Sequence, residues 1–324
     1  MSTYIQNRVA VSRFTLPTVM VYAVAVWLFS GVLTPTLPID FAAWRQGAWV
    51  QFAGFLLSVF LMVVLNNKHA LIRGYSRTVS CSFAVLTCAA SFQFSSVGGA
   101  AFQLCWIAFF MAFFHTYQNK TAVGQSYYAF LFVGLSSCLF VQTLYFVPVL
   151  WVLMFFQLSS LCWRTFWASI FGLLTPYWFA LPLLFRDGNA EALLAHLAAL
   201  ADFQQPFTGA ASITVNELLF FVFVVALGVT GTVHYQRKKL GDNIHVRLLY
   251  DCFITLWIAA AAFLVLQPQH YDMLIRLMVV SVSPLIAHFL TLTSTRMTNI
   301  AFRVICAVAL LMTLFNLWMP SLPF

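Results

Sequence analysis

Charge is what this chain has least of. Its 324 residues include sixteen Lys or Arg and eight Asp or Glu, so charged residues make up 7%, against roughly 25% in an ordinary soluble domain. Hydrophobic residues reach 62%, and Phe alone occurs 35 times. A water-soluble fold of this size has no means of hiding so much apolar surface, and a lipid-facing exterior is the economical reading. Zinc and disulfide signatures are missing too. The seven cysteines (Cys81, Cys88, Cys105, Cys138, Cys162, Cys252 and Cys306) all lie in or beside apolar runs, and none forms a CxxC pair. They read as small buried hydrophobes. Walker, GxGxxG, HExxH, GxSxG and DxD patterns are absent, so neither a nucleotide nor a cofactor nor a metal is expected. The formal charge of +8 comes without a compact basic domain, which leaves no platform for nucleic acid.

What the chain has is long apolar runs. A membrane-crossing helix needs about 20 largely apolar residues. Eleven runs approach that length, at 15–34, 47–66, 79–95, 100–117, 126–142, 146–162, 166–185, 215–234, 249–266, 273–292 and 300–318. Each must be helical, because a backbone amide in lipid finds its partner only within its own segment. The alternation of a barrel strand is absent. The expected fold class is therefore all-α, a polytopic membrane protein forming one transmembrane domain over 1–324. Met1 to Arg13 is polar and the run after it is long enough to span, so it reads as an anchor rather than a cleaved signal. The longest polar connection, 186–214, places Leu193, Leu194, Leu197 and Leu200 at helical spacing and reads as an amphipathic helix lying on the membrane surface.

The few charges orient the chain. With the N-terminus cytoplasmic, thirteen of the sixteen basic residues fall on the inner side, and only Arg45, Arg186 and Arg276 fall outside. Six of the eight acids (Asp40, Asp187, Glu191, Asp202, Glu217 and Asp272) also fall outside. Short basic loops stay in the cytoplasm, so this arrangement predicts a cytoplasmic N-terminus and an outer C-terminus. It requires a hairpin near 141–145; a single crossing between Ser126 and Arg164 would leave eight basic residues on each side.

Candidates for chemistry follow from the charges that orientation does not require. Asp40, just beyond the first run, has the position of a catalytic base at the outer face. Arg45, Arg186, Asp187, His270, Asp272 and Arg276 offer a mixed set for binding substrate, since Arg clamps phosphate while a carboxylate handles protons. Loop salt bridges and interface anchoring account for the same residues without function. Pro176, in Gly172-Leu173-Leu174-Thr175-Pro176-Tyr177, cannot donate to the Gly172 carbonyl, which predicts a helix break in the seventh run. Such a break frees a carbonyl for ion or substrate, as in transporters, or serves packing alone. Glu217 and Asp251 read as helix-start acids. His288, Gln93, Gln103, Gln142 and Gln157 read as hydrogen-bonding contacts between helices. No second His stands three or four residues from His288, which argues against a metal there.

The stretch Leu139-Phe140 through Tyr145-Phe146, the aromatic-rich sixth run and the Gly172–Tyr177 motif resemble a family of multi-pass inner-membrane proteins of Bacteroidota whose function is not established. The resemblance spans about a third of the chain and implies a bacterial inner (cytoplasmic) membrane; it supplies no catalytic residues. More loosely, Asp40 stands where integral-membrane glycosyltransferases that use polyprenyl-phosphate sugars place an acid after their first span. Their first outer loop is long and helical, whereas here about a dozen residues intervene. The expectation is a protein that handles a lipid-linked envelope precursor at the outer face, by glycosyl transfer or similar chemistry. Its expected partners are membrane lipids, a polyprenyl-linked substrate and other envelope membrane proteins. Two alternatives stand beside it: a secondary transporter or lipid translocase, and a non-catalytic membrane subunit or scaffold.

Overall fold

The computed structural model describes residues 4–32, 41–74, 76–185, 196, 198–201 and 213–318. Among them every regular element is helical. In chain order these are α1 (Ile5–Val11), α2 (Thr15–Val32), α3 (Phe41–His69), α4 (Thr78–Ala89), α5 (Val97–Phe113), α6 (Val123–Leu139), α7 (Val147–Phe156), α8 (Trp163–Phe185), α9 (Val215–Lys238), α10 (Ile244–Leu266), α11 (Tyr271–Leu292) and α12 (Arg296–Trp318). Short 3-10 turns extend several of them, notably Ser91–Ser95 between α4 and α5 and Val141–Phe146 before α7. Each of the eleven apolar runs contains a helix among its described residues, although the sixth leaves its helix at Phe156. Six segments are long and apolar enough to cross a membrane: Trp49–His69, Val97–Thr116, Val215–Gly241, Ile244–Leu266, Pro268–Leu292 and Arg296–Trp318. The pair Ile5–Val11 and Thr15–Ser30, bent by 90°, makes a seventh where the two are counted as one span. Thr78–Ala89, Val123–Leu139 and Val141–Phe156 are apolar but shorter.

Local chemistry sets the ends. Thr214 and Glu217 form a capping box at the start of α9, each satisfying the other's backbone amide. Arg237 and Lys238 close the same helix, where the dipole favours cations. Ser96 caps α5 by accepting from the Gly99 amide at 3.0 Å. Pro148 sits in the first turn of α7, where its missing N–H costs nothing.

Contacts between distant loops sort the connections into two ends. At one end the Gln118 amide donates to Leu158 O at 2.8 Å, Ser76 Oγ donates to Ala10 O at 3.0 Å, and Gln6 Nε2 donates to Leu290 O at 2.6 Å. There too His69 stacks near His115 and His245. At the opposite end Tyr271 Oη donates to Glu217 O at 2.7 Å, Asn316 Nδ2 donates to Ala89 O at 2.6 Å, and Phe140 packs on His270. The described part of the 186–214 segment also docks at this end: Tyr145 Oη donates to Leu200 O, and His196 Nε2 lies 3.1 Å from Ser137 O. Gln118, before α6, meets Leu158, after α7, so the chain has returned to the same end by Leu158.

The bundle is built around α11. Of its hydropathic window 94% is buried, against 17% for α12; α1, α4, α5, α9 and α10 pack around it. A helix apolar on every side belongs at the centre of such a bundle, and α11 carries Asp272, Arg276, Pro284 and His288 into it. The α6–α8 pair is held more closely still. A Cβ on Gly134 would sit 2.6 Å from Leu173 O, and one on Gly172 would collide with Tyr127 O. These two glycines bring the helix backbones together in the manner of small-residue membrane contacts. α8 runs as one helix through Pro176, and Thr175 Oγ1 donates to Phe171 O at 2.6 Å and lies 2.9 Å from Tyr127 Oη.

Candidate functional site: a polar cleft around Arg276

An i,i+4 spacing puts Asp272 and Arg276 on one face of α11. Arg276 Nε donates to Asp272 Oδ1 at 3.2 Å, and its Nη2 donates to Gln93 O at 2.6 Å. The Arg276 side chain is 5% exposed and that of Asp272 42%, so a buried cation leans on a half-solvated anion. The Gln93 carbonyl, in the 3-10 turn between α4 and α5, accepts from the Ser96 amide at 3.4 Å as well as from the guanidinium. Gly99 makes room: a Cβ there would collide with Arg276 Nε. The guanidinium therefore lies flat across the first turn of α5.

Around it opens a cleft of about 20 Å³, room for one water-sized group. Gln51, Ser58, Thr87, Gln93, Ser96 and Gln103 give it a polar lining, with Trp27, Phe55, Phe94 and Ala100 as its apolar walls. Trp27 and Phe94 stack at 4.0 Å. Two of the lining residues hold donors unused among the described residues: Trp27 Nε1 and Gln93 Nε2 are buried there without a hydrogen-bond partner. Unpaired buried donors are costly. The residues that carry them line the same cleft as Arg276. The chemistry of the donor set is that of an anion receptor.

The residues singled out in the sequence divide as follows. Asp272 and Arg276 come together in this cleft. His270 stands in the 3-10 turn Pro268–His270, and its ring packs against Phe140 at 5.1 Å and Phe263 at 6.1 Å. Arg45 lies in the first turns of α3, and its side chain is outside the described residues, as are Asp40, Arg186 and Asp187 altogether. Gly172 and Pro176 lie at the α6–α8 contact. Among the described residues no group of His, Cys, Asp and Glu has the geometry to hold a metal.

Sequence reasoning missed a second polar centre, at the opposite end. Asp242, in the turn between α9 and α10, has a side chain 2% exposed. Its Oδ1 accepts from Arg73 Nε at 2.6 Å and its Oδ2 lies 3.0 Å from His288 Nε2. Gly241 lets Arg73 approach, since a Cβ would meet its Nη2 at 2.7 Å. The one available signal was an acid standing alone in the most basic part of the chain, next to Arg237-Lys238-Lys239. Comparison with known protein families, with characterised proteins and with solved structures gives no match to this chain.

Proposed function

We propose that the chain is an eleven-span protein of the bacterial inner membrane whose Arg276 cleft receives the anionic head of a lipid-linked envelope precursor at the outer face. The observation that carries this reading is the convergence of Arg276 with the unpaired donors of Trp27 and Gln93 on one cleft in a bundle otherwise almost devoid of charge. An ionisable group at membrane depth is expensive and defaults to function, and a guanidinium with spare N–H donors at its side suits phosphate. In its present form the cleft admits only a water-sized group, so headgroup entry requires Trp27 and Phe94 to part.

Eleven crossings find support in the two-ended sorting of the loops. The shorter helices also reach far enough with their 3-10 turns. The 12 residues of α4 and the 5 of the turn after it rise about 28 Å at 1.5 and 2.0 Å per residue, close to the roughly 30 Å of a bilayer core. The end holding Arg73, Lys120 and Asp242 is then cytoplasmic, as is the N-terminus, and Asp272 and Arg276 face outward. The broken-helix argument for a transporter loses its motive, because Gly172 and Gly134 use that segment of α8 for packing.

Binding is tested with the full chain in nanodiscs and a photoactivatable long-chain polyprenyl phosphate. Cross-links are expected in 93–103 and 271–280, competed by unlabelled polyprenyl phosphate and lost in Arg276→Met. Equal competition by the neutral polyprenol, or undiminished labelling of R276M, would overturn the proposal.

A further inference from the structure

The Asp242 centre contains more than an ion pair. Asp242 as a carboxylate only accepts, so the 3.0 Å contact with His288 fixes Nε2 as the donating nitrogen. The other ring nitrogen, Nδ1, is then a bare lone pair in a residue of 0% exposure, and among the described residues no group donates to it. The obvious donors nearby are committed elsewhere. Tyr250, whose ring lies 5.1 Å from that of His288, donates to Leu71 O at 3.2 Å and lies 3.4 Å from Pro284 O. Tyr235, at 5.4 Å, donates to Arg247 O at 2.9 Å. A second imidazole, His234 on α9, has its ring 5.5 Å from His288, and its Nε2 is likewise buried without a partner.

We propose that His288 and His234 form a proton-binding site, oriented by Asp242, that takes one proton from the compartment facing the Arg73 end. The architecture is that of an acid that holds an imidazole in one tautomer so that its far nitrogen is a proton acceptor. His234 is half-buried whereas His288 is fully enclosed, so His234 is the entry and His288 the inner acceptor. A hydronium ion at the surface gives its proton to the pair and leaves as water; the imidazole that accepts becomes an imidazolium. Like charges on rings this close disfavour one another, so the pair binds one proton, not two. The charged and titratable surroundings fit this role. Asp242 is the single anion in direct contact with His288. Arg73 from the α3–α4 loop lies on the far side of that carboxylate, Lys238 follows His234 on α9, and Arg247 and Asp251 on α10 lie beyond Tyr235. α4 and α5 carry no charged residue, and Arg8 of α1 is exposed. This inference is independent of the Arg276 cleft.

The test is nitrogen-15 NMR of histidine-labelled full chain in nanodiscs, titrated from about pH 9 to about pH 4.5, a range that brackets imidazole ionisation. His288 is expected as the Nε2–H tautomer at high pH and to gain a proton at Nδ1 on acidification, with one proton taken up by the pair. In His234→Gln the proton affinity of His288 should rise, by about threefold or more, because its competitor is gone; in Asp242→Asn it should fall by about tenfold, one pKa unit. His288 as the Nδ1–H tautomer, or in one ring state across the whole range, would overturn the proposal using the unaltered protein alone. A His288 titration unchanged by H234Q would overturn the shared site.

Discussion

The Arg276–Asp272 pair separates a binding role from a folding role, because its two members are buried to different degrees. Arg276→Met removes a charge-assisted hydrogen bond to Gln93 O, worth about 1.5–3 kcal/mol, and a half-exposed ion pair, worth about 0–1 kcal/mol. It also removes the burden of keeping a guanidinium 5% exposed, an effective penalty of several kcal/mol. These terms nearly cancel, and Met fills much of the same volume. R276M is therefore expected to be as stable as the parent to within about 1 kcal/mol. Asp272→Ala does the opposite: it strands the buried cation with only a carbonyl partner. Breaking a fully buried pair costs about 3–5 kcal/mol, and because Asp272 is 42% exposed the loss here should be nearer 1–2 kcal/mol, again an order-of-magnitude figure. Thermal unfolding in detergent, followed by tryptophan fluorescence, should rank R276M above D272A. If R276M melts well below D272A, the guanidinium is a structural tie and the reasoning behind the cleft fails.

Gly172→Ala and Gly134→Ala should each destabilise the α6–α8 contact by about 1–3 kcal/mol, since the new methyl meets backbone that cannot step aside. Their double variant should lose less than the sum, because one separation of the helices relieves both; strict additivity in the same melts would contradict a shared contact. Asp242→Ala leaves Arg73 and the Nε2–H of His288 without their acceptor and should cost about 2–4 kcal/mol; a melt unchanged from the parent would show that the tie contributes nothing. Cys162 lies at the Lys120 end, its Sγ 3.2 Å from Lys120 O. A membrane-impermeant maleimide should label it in inverted vesicles and not in spheroplasts, and the reverse pattern would invert the proposed orientation.

The helices themselves were readable because each depends on local composition: eleven apolar runs became helices whose cores coincide with the runs. Their extents were less readable. α4 stops at Ala89 and hands over to a 3-10 turn, a change that depends on packing and on where the Gln93 carbonyl has to point. At the site, the Asp272–Arg276 spacing was visible as a helical pair. The rest of the cleft comes from α2, α3, α4, the following turn and α5, and no periodicity in one chain announces that Trp27 will stack on Phe94. Asp242 was the harder case. Its partner Arg73 lies 169 residues away and His288 lies 46 away, so its burial follows from how loops gather at one end. His288 read as a hydrogen-bonding contact between helices; its hydrogen bond goes instead to Asp242 in the turn after α9, and the sequence did not disclose that its second nitrogen would be left without a donor among the described residues.

The central position of α11 has a consequence for assembly. It is the next-to-last helix of the described chain, yet α4, α5, α9 and α10 all pack on it. A chain emerging from the ribosome presents those helices to lipid before their common partner exists, so the bundle closes late. The order is also a shelter. A charged residue at a helix centre costs roughly 2.5–3.5 kcal/mol to insert, and α11 brings in Arg276 together with the polar His288. By the time it arrives, the Gln93 carbonyl and the Asp242 carboxylate that receive them have already been made.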